Sequence, residues 1–218
     1  KILEFGIWGV PIAIIAVLAT ALVYSTHKLD PAAPLGPRPL QVQAIGLDWK
    51  WLFVYPEQGV ASIDVLMVPV DRPVELSMTS DTVMQSLMVP ALFGQIYAMP
   101  GMVTKMNFQA DRTGNTLGRN MQYSGGEFPR QQFQTMVVPA NQFDLWIERG
   151  RHANVALDPR TYTTIARPGT GAQALKALDL PLQDTQAMKL ADPALFQQVV
   201  QRYHAGHLAN DAMSMEAK

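Results

Sequence analysis

The stretch Phe5–Tyr24 constrains the fold more than any other, because it contains no charged residue. At the rise of an α-helix, a run of this length spans about 30 Å, the thickness of a bilayer core. A cleaved signal peptide would have a shorter apolar centre and a small-residue cleavage site. We therefore predict a membrane helix over residues 1–28, with Pro11 tolerated as a kink.

The composition of the 218-residue chain excludes several classes of function. Seventeen Lys and Arg against eighteen Asp and Glu leave a net charge of -1, which does not suggest nucleic-acid binding. The chain has no Cys, so disulfides, thiolate metal sites and thiol nucleophiles are excluded. The chain contains twelve Met, a residue type that usually fills irregular gaps in hydrophobic cores.

A Pro-rich linker over 29–40 follows the helix, and short apolar segments then alternate with Gly and Pro turns. Strands are predicted near Ile63–Val68, Val74–Ser77 and Val103–Ala110. Turns at intervals of about ten residues are typical of an antiparallel all-β sandwich, which we place at 41–140.

Residues 141–218 have a helical pattern. Asn141 can cap a helix that carries Phe143, Trp146 and Ile147 on one face. Asp192 followed by Pro193 predicts a second helix start. The spacing of His204 and His207 would suit half of a metal site, but a pair of solvated histidines is favoured, because no acidic or Cys partner is near.

Four segments resemble subunit II of haem-copper terminal oxidases. In the cytochrome c-oxidising members, the copper loop reads roughly Gln-Cys-Ser-Glu-x-Cys-Gly-x-x-His-x-x-Met, and an earlier segment supplies another His. The resembling segments are Glu4-x3-Trp8-x2-Pro11, Trp49–Pro56, Gln95–Gly101 and the loop Met121–Gln134. The matched ligand places carry Tyr123 and Glu127 for the two Cys, Gly125 for Glu, Gln131 and Gln85 for the two His, and Gln134 for Met.

A dinuclear copper centre needs bridging thiolates, which this chain lacks. The chain therefore resembles the quinol-oxidising branch, the bacterial cytochrome bo-type ubiquinol oxidases. That resemblance implies a cupredoxin-like domain in the periplasm, a membrane helix in the bacterial inner membrane, and a helical extension. It also implies a proton-pumping ubiquinol:oxygen oxidoreductase of the aerobic respiratory chain, in which this subunit has no catalytic, metal or cofactor site of its own.

The resemblance also implies partners and site residues. Haems, copper and ubiquinol are expected in subunit I, and subunits I, III and IV and the lipid bilayer are the expected partners. An earlier membrane helix, usual in the family, is missing from this sequence, so we expect the natural chain to begin earlier. Glu4 is a candidate for proton entry at the mouth of a subunit I channel, with an interfacial carboxylate that reaches headgroup water as the open alternative. Trp49, Trp51, Phe53 and Tyr55 are candidate subunit-interface aromatics.

Two further alternatives stay open. Trp49 and Trp51 share one parity on a strand, so the aromatic segment can also form an ordinary core patch or a belt at the membrane interface. The whole chain can also be a membrane-anchored cupredoxin-like scaffold or binding module with no oxidase attached.

Overall fold

The computed structural model describes residues 2–28, 30, 32–181 and 187–204, with side chains from residue 6 onward. It divides into two compact units, an N-terminal unit up to Ala33 and a second unit from Pro34. The first unit contains helix α1 (Ile2–Lys28), with Pro11 inside it. Over Gly6–Lys28 the mean hydropathy is 2.3, so this helix is long and apolar enough to cross a membrane.

The second unit is a two-sheet sandwich. One sheet contains seven strands in the order β11-β12-β3-β2-β1-β5-β8, and the other contains five in the order β4-β10-β9-β6-β7. The strands are β1 (Leu40–Leu47), β2 (Lys50–Tyr55), β3 (Val60–Ile63), β4 (Val65–Pro69), β5 (Pro73–Ser80), β6 (Gln85–Val89), β7 (Phe93–Ala98), β8 (Thr104–Gln109), β9 (Gly114–Asn120), β10 (Gln132–Val138), β11 (Ala156–Leu157) and β12 (Met188–Leu190).

The predicted sandwich is confirmed, but its sheets are mixed rather than purely antiparallel. β1 pairs with β5 in parallel, and β10 pairs with β4 in parallel. The strand predicted over Ile63–Val68 is broken at Asp64, whose φ of 54° ends β3 and starts β4 in the other sheet. A positive φ costs a non-Gly residue energy, and the hydrogen bonds described below hold Asp64 in it.

The C-terminal extension consists of α2 (Ala140–Arg151), α3 (Pro159–Ile165), α4 (Gly171–Ala177) and a last helix, α5, over 195–204. Phe143, Trp146 and Ile147 are buried, as their spacing predicts. The predicted cap at Asn141 is wrong, because the N-cap is Pro139 without a side-chain bond. The extension also contains β11 and β12, which continue the seven-stranded sheet beyond β3. His207 lies outside the described residues.

Strand β2 is buried on both faces because a layer packs on each side of its sheet. Trp51, Phe53 and Tyr55 point into the core between the two sheets. Leu52 and Val54 point the other way, into a second core formed with the extension. This three-layer arrangement explains why β2 reads as a nearly continuous apolar run rather than an alternating one.

Candidate functional site

Five connections meet at one end of the sandwich, which we call the site end. They join β1 to β2, β3 to β4, β5 to β6, β7 to β8 and β9 to β10, and they follow from the strand directions in the two sheets. The family's ligand places therefore come from segments that converge in space although they lie far apart in sequence. The segment between β9 and β10 includes a short 3-10 helix, Phe128–Arg130.

The two His-matched places are in direct contact. The Gln131 amide nitrogen donates to the side-chain oxygen of Gln85, across 46 residues of sequence. Both side chains are buried, with 1% and 0% of their surface exposed. The Gln85 nitrogen donates to the Leu47 carbonyl at 3.0 Å and to the Thr82 hydroxyl at 3.0 Å. The structure thus brings together the residues that the resemblance places on the two imidazole ligands.

Asn120 and Ser124 complete this amide cluster. The Asn120 nitrogen donates to the Gln131 side-chain oxygen at 2.8 Å and to the Ser124 hydroxyl at 3.1 Å. The Ser124 hydroxyl donates to the same Gln131 oxygen at 3.1 Å. The Asn120 oxygen accepts from the backbone N–H of Ser86 and of Gln122, each at 2.9 Å. Buried amides need this degree of pairing, since an unpaired one costs about 1–3 kcal/mol.

Gly46 makes room for the cluster. A Cβ at this position would lie 2.6 Å from the Gln85 side-chain oxygen and 3.2 Å from the Trp51 ring. Any larger residue would therefore displace Gln85 from its partners. The glycine is required by this close approach and not by its backbone angles.

The remaining matched places do not join the cluster. Tyr123 is 73% exposed. The Glu127 carboxylate forms an exposed ion pair with Arg130 at 3.0 Å. Gln134 lies on β10 opposite Val65. A copper pair does not fit this set, because it offers no thiolate and the Gln85 and Gln131 amide nitrogens already donate to oxygen. Among the described residues, no three His, Asp or Glu side chains form a metal-binding group.

The aromatic residues divide into two kinds. Trp51, Phe53 and Tyr55 have 0% exposed surface, so the prediction that they form a subunit interface is wrong for these three. Their physical role is packing: the rings of Trp51 and Phe53 lie 6.2 and 5.1 Å from that of Phe133.

Trp49 differs from the other three. It lies in the turn before β2 with a φ of 64°, and it is partly exposed, so it does not share the inward direction of Trp51. Its indole N–H donates to the Ser124 carbonyl at 3.1 Å, and Gly125 packs against its ring. Trp49 thus holds the loop between β9 and β10 against the turn that precedes β2. Glu4 lies in α1, but its side chain is outside the described residues.

Two charged residues that the motif comparison missed, Lys50 and Asp64, lie at the same end of the sandwich as the cluster. Lys50 is 1% exposed, and its ammonium donates to the carbonyls of Asp48, Arg167 and Gly169 at 3.1, 2.8 and 2.8 Å. Burial lowers its pKa to about 8, against the attraction of Asp64 and Asp48. The sequence feature that could have identified Lys50 is a positive charge at the start of an apolar strand.

Asp64 is the acidic counterpart. Its carboxylate accepts from the Trp51 N–H at 2.7 Å and from the Gly171 N–H. Burial raises its pKa to about 7, although these bonds and the nearby Lys50 oppose the shift. A cleft of about 370 Å³ opens beside it, lined by Leu117, Gln134 and Leu175 among others.

Comparison with known proteins agrees with the geometry. Residues 60–138 match the family described as cytochrome C oxidase subunit II, periplasmic domain. Ubiquinol oxidase subunit 2 of Acetobacter aceti is 36% identical over 94% of this chain and 64% of its own length. Cytochrome bo(3) ubiquinol oxidase subunit 2 of Pseudomonas putida is 40% identical over 76% of this chain and 54% of its own length.

Among solved structures, the periplasmic domain of subunit II of cytochrome oxidase (CoxB) of Bradyrhizobium japonicum aligns with a TM-score of 0.50 and 24% identity, over 52% of this chain and 94% of that one. That likeness supports the sandwich fold. This chain spans between about half and two thirds of the length of the two curated relatives. Residues 60–138 therefore match the periplasmic-domain model of cytochrome C oxidase subunit II, and the chain as a whole is similar to subunit 2 of ubiquinol oxidases.

Proposed function

We propose that this chain is subunit II of a proton-pumping ubiquinol:oxygen oxidoreductase of the aerobic respiratory chain, and that it carries no redox centre of its own. The carrying observation is the buried Gln85–Gln131 pair, which fills the two imidazole places of the copper-binding relatives with amides that donate to oxygen. The homology to ubiquinol oxidase subunits supports the same assignment.

A physical reason supports a domain without a metal relay. Ubiquinol is dissolved in the bilayer and can reach a membrane subunit laterally, whereas cytochrome c delivers electrons from the aqueous side. In this proposal the haems, the copper and the quinol chemistry belong to subunit I. Subunit I, subunits III and IV and the lipid of the bacterial inner membrane are the partners, and the sandwich lies in the periplasm.

The test is purification of the tagged full-length chain from membranes in mild detergent. We expect co-purified haem in a reduced-minus-oxidised spectrum, oxygen uptake with ubiquinol, and none with reduced cytochrome c. A parallel preparation from cells with the untagged chain controls for adventitious haem. A colourless chain recovered alone would contradict the proposal and leave a membrane-anchored binding module. Oxidation of cytochrome c would contradict the loss of the relay.

Glu4 is proposed as a proton-entry residue, because the resembling segment Glu4-x3-Trp8-x2-Pro11 puts a carboxylate at the edge of the apolar span, and ionisable residues of membrane segments are functional candidates by default. We expect Glu4→Ala to slow oxygen uptake of the purified complex with its haem spectrum unchanged, and Glu4→Asp to retain most of the rate. Equal rates for the three proteins would assign Glu4 to the membrane interface only.

Trp49 retains the proposed role of a subunit contact, because it keeps exposed surface that the other three aromatic residues lack. Its ring lies beside the loop between β9 and β10, where Met121 and Tyr123 are also exposed. Trp is well suited to such a contact, because it buries a large area with few rotatable bonds.

A further inference from the structure

The C-terminal extension contacts four of the five connections at the site end, each through a different residue. On the sandwich side the contacts are made by Lys50, the first residue of β2 directly after the connection from β1, and by Asp64, Asp81 and Gly101 in the connections after β3, β5 and β7. Two of these connections, those after β1 and β5, also bond to the amide cluster, through the Leu47 carbonyl and the Thr82 hydroxyl. The extension therefore holds from outside two of the loops that the amide cluster joins from inside.

The segment between α3 and α4 is bonded to the sandwich through two of its carbonyl groups and through one N–H group. Lys50 donates to the carbonyls of Arg167 and Gly169, each at 2.8 Å, while Asp64 accepts from the Gly171 N–H. An ammonium has three donors, and the Asp48 carbonyl takes the third at 3.1 Å. Hydrogen bonds to a charged group are about twice as strong as neutral ones, so this segment is firmly attached.

The Asp81 carboxylate is a second attachment. Its side chain is only 4% exposed. It accepts from the Tyr162 hydroxyl at 2.6 Å and from the Arg202 guanidinium at 3.1 and 2.9 Å. Its own connection borders the cluster, since Thr82 accepts from Gln85. Helices α3 and α5 thus both reach one carboxylate on the loop between β5 and β6.

A third contact lies on the loop between β7 and β8. Gly101 has a φ of 73°, and a Cβ there would lie 3.0 Å from the Tyr203 Cβ. Tyr203 also bonds to Asp81, and burial raises its pKa to about 12. One residue of α5 therefore touches two of the surrounding loops.

We infer that the extension is a brace that holds the loops of the site end in place, taking over the mechanical role that a bound metal has in copper-carrying relatives. A metal that binds only the folded site holds the segments that supply its ligands. Here the amide cluster supplies neutral bonds inside, and the extension adds charged bonds outside. The inference needs neither haem nor quinol, so it stands or fails separately from the proposed oxidase function.

The test removes side chains of the extension and measures amide hydrogen exchange in the loops of the site end. The double variant Tyr162→Phe with Arg202→Ala removes two of the three extension side chains that donate to Asp81, leaving Tyr203, without altering any loop residue. Amide hydrogen exchange is measured on the detergent-purified full chain with whatever subunits accompany it. We expect exchange at 80–84 and at 121–131 to accelerate on the order of tenfold, since losing bonds to a charged group weakens local closure by that factor. Tyr203→Ala, as a second variant, is expected to do the same at 99–103.

The matched control is Arg151→Ala. Arg151 also belongs to the extension and donates to a sandwich connection, the Gln58 carbonyl at 2.7 Å, but at the opposite end of the sandwich. Its loss should leave 80–84, 99–103 and 121–131 unchanged. Faster exchange confined to the extension itself, or unchanged exchange in all three loops, would overturn the brace. So would equal acceleration of these loops in Arg151→Ala.

Discussion

Two polar clusters lie side by side at the site end and use different physics. The amide cluster of Gln85, Asn120, Ser124 and Gln131 is neutral and fully bonded, so its stability does not change with pH. The pair of Lys50 and Asp64 is ionisable, and burial moves both pKa values towards neutrality. Neutral amides can fill a buried site without removing a charge from water. Burying the charged groups of Lys50 and Asp64 costs solvation free energy, which their hydrogen bonds must offset.

The largest expected effect that separates the two clusters is the pH dependence of Asp64. Its folded-state pKa is raised to about 7, so stability is fully present below the unfolded pKa and is lost as pH rises through 7. From pH 4.5 to 7.5 we expect the free energy of unfolding to fall by on the order of 3 kcal/mol relative to Asp64→Asn. Urea unfolding of the detergent-solubilised chain, followed by Trp fluorescence, measures it.

Lys50 provides an internal check in the alkaline range. Its pKa is lowered to about 8, so the folded state releases its proton first, and stability should rise from pH 8 to 9.5 in the native chain. Lys50→Met should lack that rise. Parallel curves for native chain, Asp64→Asn and Lys50→Met across both ranges would show that these buried groups do not titrate as the geometry implies.

A smaller effect is expected from breaking the amide cluster. Gln131→Leu leaves the Gln85 oxygen and the Asn120 nitrogen without their buried partner, which should cost about 2 kcal/mol at every pH from 5 to 8. Adding Gln85→Leu should cost less than the sum of the two single changes, because the partners are removed together. Strict additivity in urea unfolding would mean that the two amides do not act as a unit.

The smallest effect is expected at Trp49. Trp49→Phe keeps an aromatic ring but loses the N–H that donates to the Ser124 carbonyl at 3.1 Å. We expect about 1 kcal/mol of local destabilisation, seen as faster proteolysis within 121–131, with the unfolding midpoint of the whole chain nearly unchanged. Phe93→Leu, at the opposite end of the five-stranded sheet, serves as the control. A fall in the midpoint without faster cleavage of the loop would place Trp49 in the core instead.

Much of the fold could be predicted from local pattern. The uncharged run sets a membrane-length helix, the turn spacing sets a β-sandwich, and the spacing of Phe143, Trp146 and Ile147 sets one buried helix face. The ordered match to the copper loop also placed Gln85 and Gln131 at one site, and the structure joins them. These features follow from residue periodicity or from a motif, which a linear chain displays directly.

Other features depend on what packs against each segment. The aromatic strand was assigned to an interface from the family resemblance, and its periodicity does not tell which layer covers each face. The five-stranded sheet covers Trp51, Phe53 and Tyr55, and the extension covers the other face of the strand. Strand β12 could not be predicted from the sequence for the same reason. This short strand forms because the edge of β3 is available for pairing.

The chemistry of the site shows the same division. Composition alone removes the thiolate site, since a chain without Cys has no bridging ligand whatever its fold. The pKa shifts of Lys50 and Asp64 have no trace in the residue types, because they arise from burial and from carbonyl and N–H partners up to 119 residues away. Residue identity fixes which chemistry is possible, and tertiary burial fixes which groups are shielded from water and how strongly they hold a proton.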